Sequence, residues 1–198
     1  MVLLVATTNP GKIREIRMAL EGMAGLDLRL ETVADVAPAL AAPEETGVTF
    51  EANAALKARF YAAATGLPTI AEDSGLSIDA LGGRPGVESA RYPGATYREK
   101  FDRLYAELAP CARPWTAHYT SAVTLVGAGG LVEYAAAATV EGEVARAPRG
   151  SHGFGYDPIF FFPPFGCTCG EMTDAQKLGI SHRGRAFRAF RRWFEATR

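Results

Sequence analysis

Residues 2–23, VLLVATTNPGKIREIRMALEGM, decide the fold class. Val2 to Ala6 is a short apolar, partly β-branched run. The polar turn Thr7-Thr8-Asn9-Pro10-Gly11 breaks it, and Ile13, Ile16, Leu20 and Met23 then recur at the spacing of one helix face. The stretch reads as strand, loop, helix. A second unit of helix and strand follows. The Ala-rich stretch Phe50 to Ala64 is closed by Gly66 and Pro68, and the run Thr69 to Glu72 leads into Asp73-Ser74-Gly75, so acidic residues are expected to end a strand. Between the two units a strand is expected near Leu28 to Val33, then a surface loop carrying Glu44 and Glu45, a natural place for function.

Working outward, Phe101, Leu104, Tyr105 and Leu108 mark a helix over Tyr97 to Leu108 that ends before Pro110. Trp115 to Val126 and Leu131 to Val144 flank a glycine-rich turn, and their alternation predicts a long antiparallel hairpin. Ile159 to Phe162 reads as a buried strand. Phe187, Phe190 and Phe194 mark the core face of a C-terminal helix. This mixture predicts an α/β or α+β fold with a mixed sheet, and no linker or repeat divides residues 1–198, which are read as a single domain.

Composition narrows the function classes. The chain has 198 residues, 48% of them hydrophobic, and its 21 Lys+Arg nearly balance 22 Asp+Glu. Such a balance provides no basic field for a polymeric nucleic acid, although a single nucleotide needs none. Cys111, Cys167 and Cys169 form an odd set without a disulfide framework, which points to a reducing compartment, the cytoplasm. No apolar run approaches the roughly 20 residues of a membrane span.

Four constellations carry chemistry, each with a plainer structural reading beside it. Thr7, Thr8, Asn9, Pro10, Gly11 and Lys12, between strand and helix, suit phosphate oxygens, or equally a capped helix start. The P-loop pattern is excluded, since Ala6 stands at its first glycine and Ile13 at its magnesium-binding hydroxyl. Glu44 and Glu45, with Glu72 and Asp73, offer the hard oxygen ligands magnesium takes; the loop pair reads otherwise as surface charge. Ser151 to Pro158 combines glycines with Phe154 and Tyr156, a ring for stacking a base or a turn packing aromatics into the core. Lys177 with Ser181-His182-Arg183 is a donor cluster fit for an anion or a purine carbonyl, or a capped helix with a solvated basic face. Asn53 and Lys57, one turn apart, can face the same cleft.

Taken in order and spacing, ATTNPGK, EETGVTFEANAALKAR, AEDSGLSIDALGGRPGVESARY, SHGFGYDPIF and EMTDAQKLGISHRGRA resemble the inosine triphosphate pyrophosphatase family over nearly the whole chain. The resemblance implies an α/β fold in which an elongated mixed sheet flanked by helices makes two lobes with a central nucleotide-binding cleft. It implies a magnesium-dependent, usually homodimeric enzyme that hydrolyses ITP, dITP and XTP to monophosphate and pyrophosphate. By motif, Thr7 through Lys12 would hold phosphate with Lys57 beside it. Asp73 would be general base and metal ligand, with Glu44 or Glu45 the other acidic ligand. Ser74 would touch substrate and Phe154 would stack on the base. Gly155, Tyr156 and Asp157 would wall the base pocket, and Lys177, His182 and Arg183 would read the purine edge. Cys167-Thr168-Cys169 departs from the family's usual residues, outside all of these positions.

Overall fold

The structure, a computed structural model, describes residues 1–20 and 28–197. Met23, expected on the apolar face of the first helix, lies outside the described residues. In chain order the elements are β1 (Val2–Val5), α1 (Pro10–Leu20), β2 (Arg29–Thr32), α2 (Val33–Val36), α3 (Phe50–Thr65) and β3 (Thr69–Ile78). There follow α4 (Tyr97–Leu108), β4 (Thr116–Val126), β5 (Val132–Val144), β6 (Phe160–Phe162), β7 (Cys167–Thr168), α5 (Asp174–Ile180) and α6 (His182–Thr197). The strands form one mixed sheet in the order β2-β1-β3-β4-β5-β6-β7. β1 runs parallel to β2 and β3, while β6 runs antiparallel to β5 and β7, so the α/β class with a mixed sheet and flanking helices is what the chain adopts.

Two expectations are corrected. The segment after β2 is not loop from its start: Thr32 donates from its backbone N and its hydroxyl to Asp35 Oδ2, at 2.9 and 2.6 Å, and this capping box starts the one-turn α2. β3 does not end at Glu72 and Asp73 but runs on to Ile78. Charged residues in a sequence suggest a strand's edge, yet both carboxylates here have cationic partners, so the backbone can carry them inside the sheet.

The chain divides into two compact units. The first contains residues 1–73, 121–138 and 183–198; the second contains 74–120 and 139–182. Leu4, Ala6, Ala58, Tyr61, Ala71 and Val126 are core residues of the first unit. Its α3 starts at Thr49, whose side chain accepts from Ala52 N at 3.1 Å, and ends at Gly66, whose φ of 69° only glycine adopts without strain. Ala54, Ala58 and Ala62 are buried at i, i+4 and i+8, a face small enough for close packing. Phe187, Phe190 and Phe194 of α6 are buried as the sequence predicts. The second unit has its own core, with Leu76, Ile78, Phe101, Leu104, Trp115 and Phe160. Among the described residues no helix is long and apolar enough to cross a membrane.

Candidate active site

In the first unit β1 delivers the chain to the start of α1. Asn9 caps that helix: its Oδ1 accepts from Gly11 N at 2.9 Å and Lys12 N at 3.2 Å, while Thr7 Oγ1 accepts from Asn9 N at 3.2 Å. The structural reading of this turn is thus realised, and it does not compete with the chemical one. Thr8, Asn9 and Pro10 stay exposed at the positive end of an eleven-residue helix, and the Lys12 ammonium lies 2.9 Å from Glu72 Oε2.

Glu72 and Asp73 alternate along β3 and meet different partners, as strand geometry requires. Lys57, from α3, places Nζ 3.0 Å from Asp73 Oδ1 and 2.6 Å from Glu45 Oε1. Of the tandem pair Glu44-Glu45, therefore, Glu45 shares Lys57 with Asp73, while Glu44 is exposed. The Glu45 loop is pinned by Asn53, fully buried, whose Oδ1 accepts from Gly47 N at 2.8 Å. A Cβ on Gly47 would stand 2.6 Å from that oxygen, so the loop needs glycine there.

Burial pushes the Asp73 carboxyl above the ordinary aspartate value, against the opposing pull of Lys57 and Lys12. Burial alone would lower the Lys57 ammonium, but Asp73 and Glu45 outweigh it and hold the lysine above its ordinary value. Asp73 Oδ2 is buried without a hydrogen-bond partner, an uncommon state for a carboxylate oxygen. Among the described residues no three His, Cys, Asp or Glu side chains converge on a metal position. Two carboxylates, one with an orphaned oxygen, nonetheless fit magnesium, which keeps several waters and shares its coordination with substrate phosphates.

Two further residues belong to this unit's polar set. Glu72, fully buried, accepts at Oε1 from Ser121 Oγ at 2.9 Å and from Arg183 Nη2 at 3.0 Å, and Arg183 Nη1 donates to Glu15 Oε2. Glu15 and Ser121 escaped the sequence reading. Glu15 left one signal: it neighbours Ile16 and stands four residues before Ala19, on the buried side of α1, where an unpaired charge is costly. The Arg183 guanidinium, expected at the purine edge, is engaged with these carboxylates; its neighbour His182 belongs to the second unit. Adjacent helix residues diverge by about 100°, so His182 and Arg183 leave the backbone in different directions.

In the second unit Asp157 Oδ2 accepts from Phe154 N at 2.7 Å and from Lys177 Nζ at 2.5 Å. Lys177 Nζ lies 4.7 Å from the centre of the half-buried Phe154 ring. Gly153, at φ +73°, allows this closure, because a Cβ there would collide with Asp157 Oδ2. Gly155 turns at φ +65° with Tyr97 nearby. Tyr156 is not an open platform: it is buried, gives its hydroxyl to Ser89 O at 2.8 Å, and packs edge-on against Tyr97. His182 stacks on Tyr119 with ring centres 4.5 Å apart. Ser74 is half-buried in β3.

The profile of the Ham1 family matches residues 3–193. A protein of Erwinia tasmaniensis named dITP/XTP pyrophosphatase is 45% identical over 196 residues, covering 92% of this chain and 89% of the relative. A Thermus thermophilus protein of the same name is 47% identical over 191 residues, covering 96% and 89%. Among solved structures, a HAM1 protein from Coxiella burnetii superposes with a TM-score of 0.90 at 35% identity over 100% of both chains. A nucleoside-triphosphatase / dITP/XTP pyrophosphatase from Mycobacterium abscessus superposes with a TM-score of 0.76 at 38% identity, covering 96% and 97%.

Proposed function

The chain belongs to the Ham1 family, and from that premise we propose that it hydrolyses deaminated purine nucleoside triphosphates, ITP, dITP and XTP, to monophosphate and pyrophosphate, cleansing the nucleotide pool. The observation that carries the reading is the Asp73 carboxylate, buried in β3 with one oxygen on Lys57 and the other without a hydrogen-bond partner. A protein that merely held a triphosphate would gain little from carboxylates beside the phosphates, since like charges repel.

Lys12 and Lys57 balance the triphosphate charge, with Thr7, Thr8, Asn9, Pro10 and Gly11 forming the turn on which the phosphates rest. Asp73 orients a water and takes its proton as the oxygen attacks the α-phosphorus in line; the bond to the pyrophosphate oxygen breaks and pyrophosphate leaves. Its raised pKa makes it a better proton acceptor than an ordinary aspartate. Glu45 and Asp73 are the residues that would hold magnesium. When bound, the ion supplies further neutralisation of phosphate charge.

Base selection is assigned to the second unit. Phe154 stacks on the purine, Gly155, Tyr156 and Asp157 shape the wall, Ser74 touches the substrate, and Lys177 and His182 donate toward the 6-carbonyl. Arg183 contributes through the carboxylates it holds. Adenine presents an amino group at position 6, and each buried unmatched polar group costs about 1–3 kcal/mol. Guanine shares the 6-carbonyl and has to be refused at its 2-amino group. Family resemblance also carries the proposals that residues 1–198 act as one domain, as a homodimer, in the cytoplasm.

The test is to incubate the purified protein with magnesium and, separately, dITP, XTP, dATP, dGTP and dTTP, then identify the products. Pyrophosphate and monophosphate from dITP and XTP alone are expected. Orthophosphate would mean a different bond is cut, and no release from any sample would mean a binding protein.

A further inference from the structure

We propose that Glu15 is a positioning residue for Lys12, acting through Arg183 and Glu72; this deepens the proposed function and rests on its reading of Lys12 as a phosphate contact. The four side chains alternate in sign: Glu15 pairs with Arg183, Arg183 with Glu72 at 3.0 Å, and Glu72 with Lys12 at 2.9 Å. Glu15, Glu72 and Arg183 are at most 5% exposed, and only Lys12 reaches solvent appreciably.

Such a chain is a poor way to gain stability. Each buried ion loses its hydration, and apolar residues of similar volume commonly serve a core as well or better. What the arrangement supplies is direction. Glu72 Oε1 is taken by Ser121 and Arg183, so the carboxylate is held against rotation and turns Oε2 toward Lys12. Glu15 also stands one turn after Lys12 on α1, so the contacts at Lys12 and Glu15 grip the first turns of that helix at two points. The turn from Thr7 to Gly11 enters the helix there, and its orientation depends on that grip.

Neutralising Glu15 leaves Arg183 with a buried positive charge that Glu15 no longer compensates. The guanidinium then leans on Glu72, competes with Lys12 for it, and repels the ammonium. Lys12 loses its fixed position for the phosphates. A contact made equally in the bound and transition states acts on KM more than on kcat, so the loss belongs in KM.

The experiment is a double-mutant cycle with dITP and magnesium on the wild type, Glu15→Gln, Lys12→Ala and the double variant. Glu15→Gln is expected to raise KM about tenfold with kcat changed less than about threefold, and to add nothing once Lys12 is alanine. If KM in the double variant is the product of two independent increases, Glu15 is a structural residue only and the proposal falls. If Lys12→Ala leaves KM unchanged, the phosphate reading of Lys12 is overturned, and the proposal with it. Glu15→Asp, which keeps the charge and draws it back from Arg183, provides the same test should Glu15→Gln not fold: its KM increase, smaller in size, must likewise vanish in the Lys12→Ala background, and its persistence there overturns the proposal.

Discussion

Lys57 Nζ stands 3.0 Å from Asp73 Oδ1 and, from the same atom, 2.6 Å from Glu45 Oε1, so one ammonium compensates two carboxylates. With 12% of its side chain exposed, Lys57 is buried enough for this to matter energetically. Under the proposed assignment of magnesium to Glu45 and Asp73, a bound divalent ion would compensate the carboxylates and leave the ammonium to turn to phosphate oxygens, so lysine and metal would be alternative counter-charges for the same acidic pair.

Replacing Lys57 by methionine should expose this exchange. Without metal, the pair loses its cation and the variant should be less stable by about 3 kcal/mol, the ordinary scale for breaking a buried pair on one side. Magnesium should restore more stability to Lys57→Met than to the wild type. Thermal melts in EDTA and in excess magnesium measure the difference; equal metal-induced shifts would sink the idea.

Asp73→Asn should cut kcat by about 10²- to 10⁴-fold, the range for a lost general base. The fold should survive, because the Lys57 ammonium keeps Glu45 Oε1, 2.6 Å away, as its counter-charge. Steady-state kinetics and a melting curve on one preparation suffice. Near-wild-type turnover would remove Asp73 from the mechanism.

Lys177→Met tests base reading. Its ammonium sits over the Phe154 ring and is oriented by Asp157, so its loss should lower kcat/KM for dITP by about 10- to 100-fold and leave any residual turnover of dATP, measured at high enzyme concentration, nearly unchanged. An equal proportional loss for both substrates would assign Lys177 to folding or to phosphate binding.

A pH effect on stability is expected from a carboxylate outside the proposed site residues. Glu107 accepts from the Tyr92 hydroxyl at 2.6 Å and pairs with Arg84 at 2.8 Å, and the Tyr92 hydrogen bond is the main cause holding its carboxyl below the ordinary glutamate value. A lowered folded pKa means that the stabilisation is complete above the unfolded value of 4.5 and is lost as pH falls through the lower folded one. The melting temperature of Glu107→Gln should therefore fall below the wild type's at neutral pH and converge with it in acid. A constant gap down to pH 2 would contradict the assignment.

Much of this was legible in the sequence because the signals are local. The spacing of Ile16 and Leu20 in α1 and of the phenylalanines in α6 reports which face of an element is buried, because burial faces are set by backbone geometry, whereas in β4 the alternation does not mark one face: residues 121–126 are buried on both. The glycines at 153 and 155 were legible too, and the structure gives both positive φ. β3 was misread because a carboxylate is compatible with a central strand only when a cation lies nearby, and that partner comes from a distant helix.

The sequence by itself determined the elements, the mixed α/β class and the set of reactive residue types, since these follow from periodicity, turn chemistry and motif order. Only the tertiary structure decided that Glu45 rather than Glu44 shares Lys57 with Asp73, that Arg183 holds Glu72 while its neighbour His182 stacks on Tyr119, and that Glu15 pairs with Arg183. The reason is physical. A local pattern fixes the direction in which a side chain leaves its own helix or strand, but the free energy of a buried charge depends on which opposite charge the rest of the chain brings within about 3 Å of it.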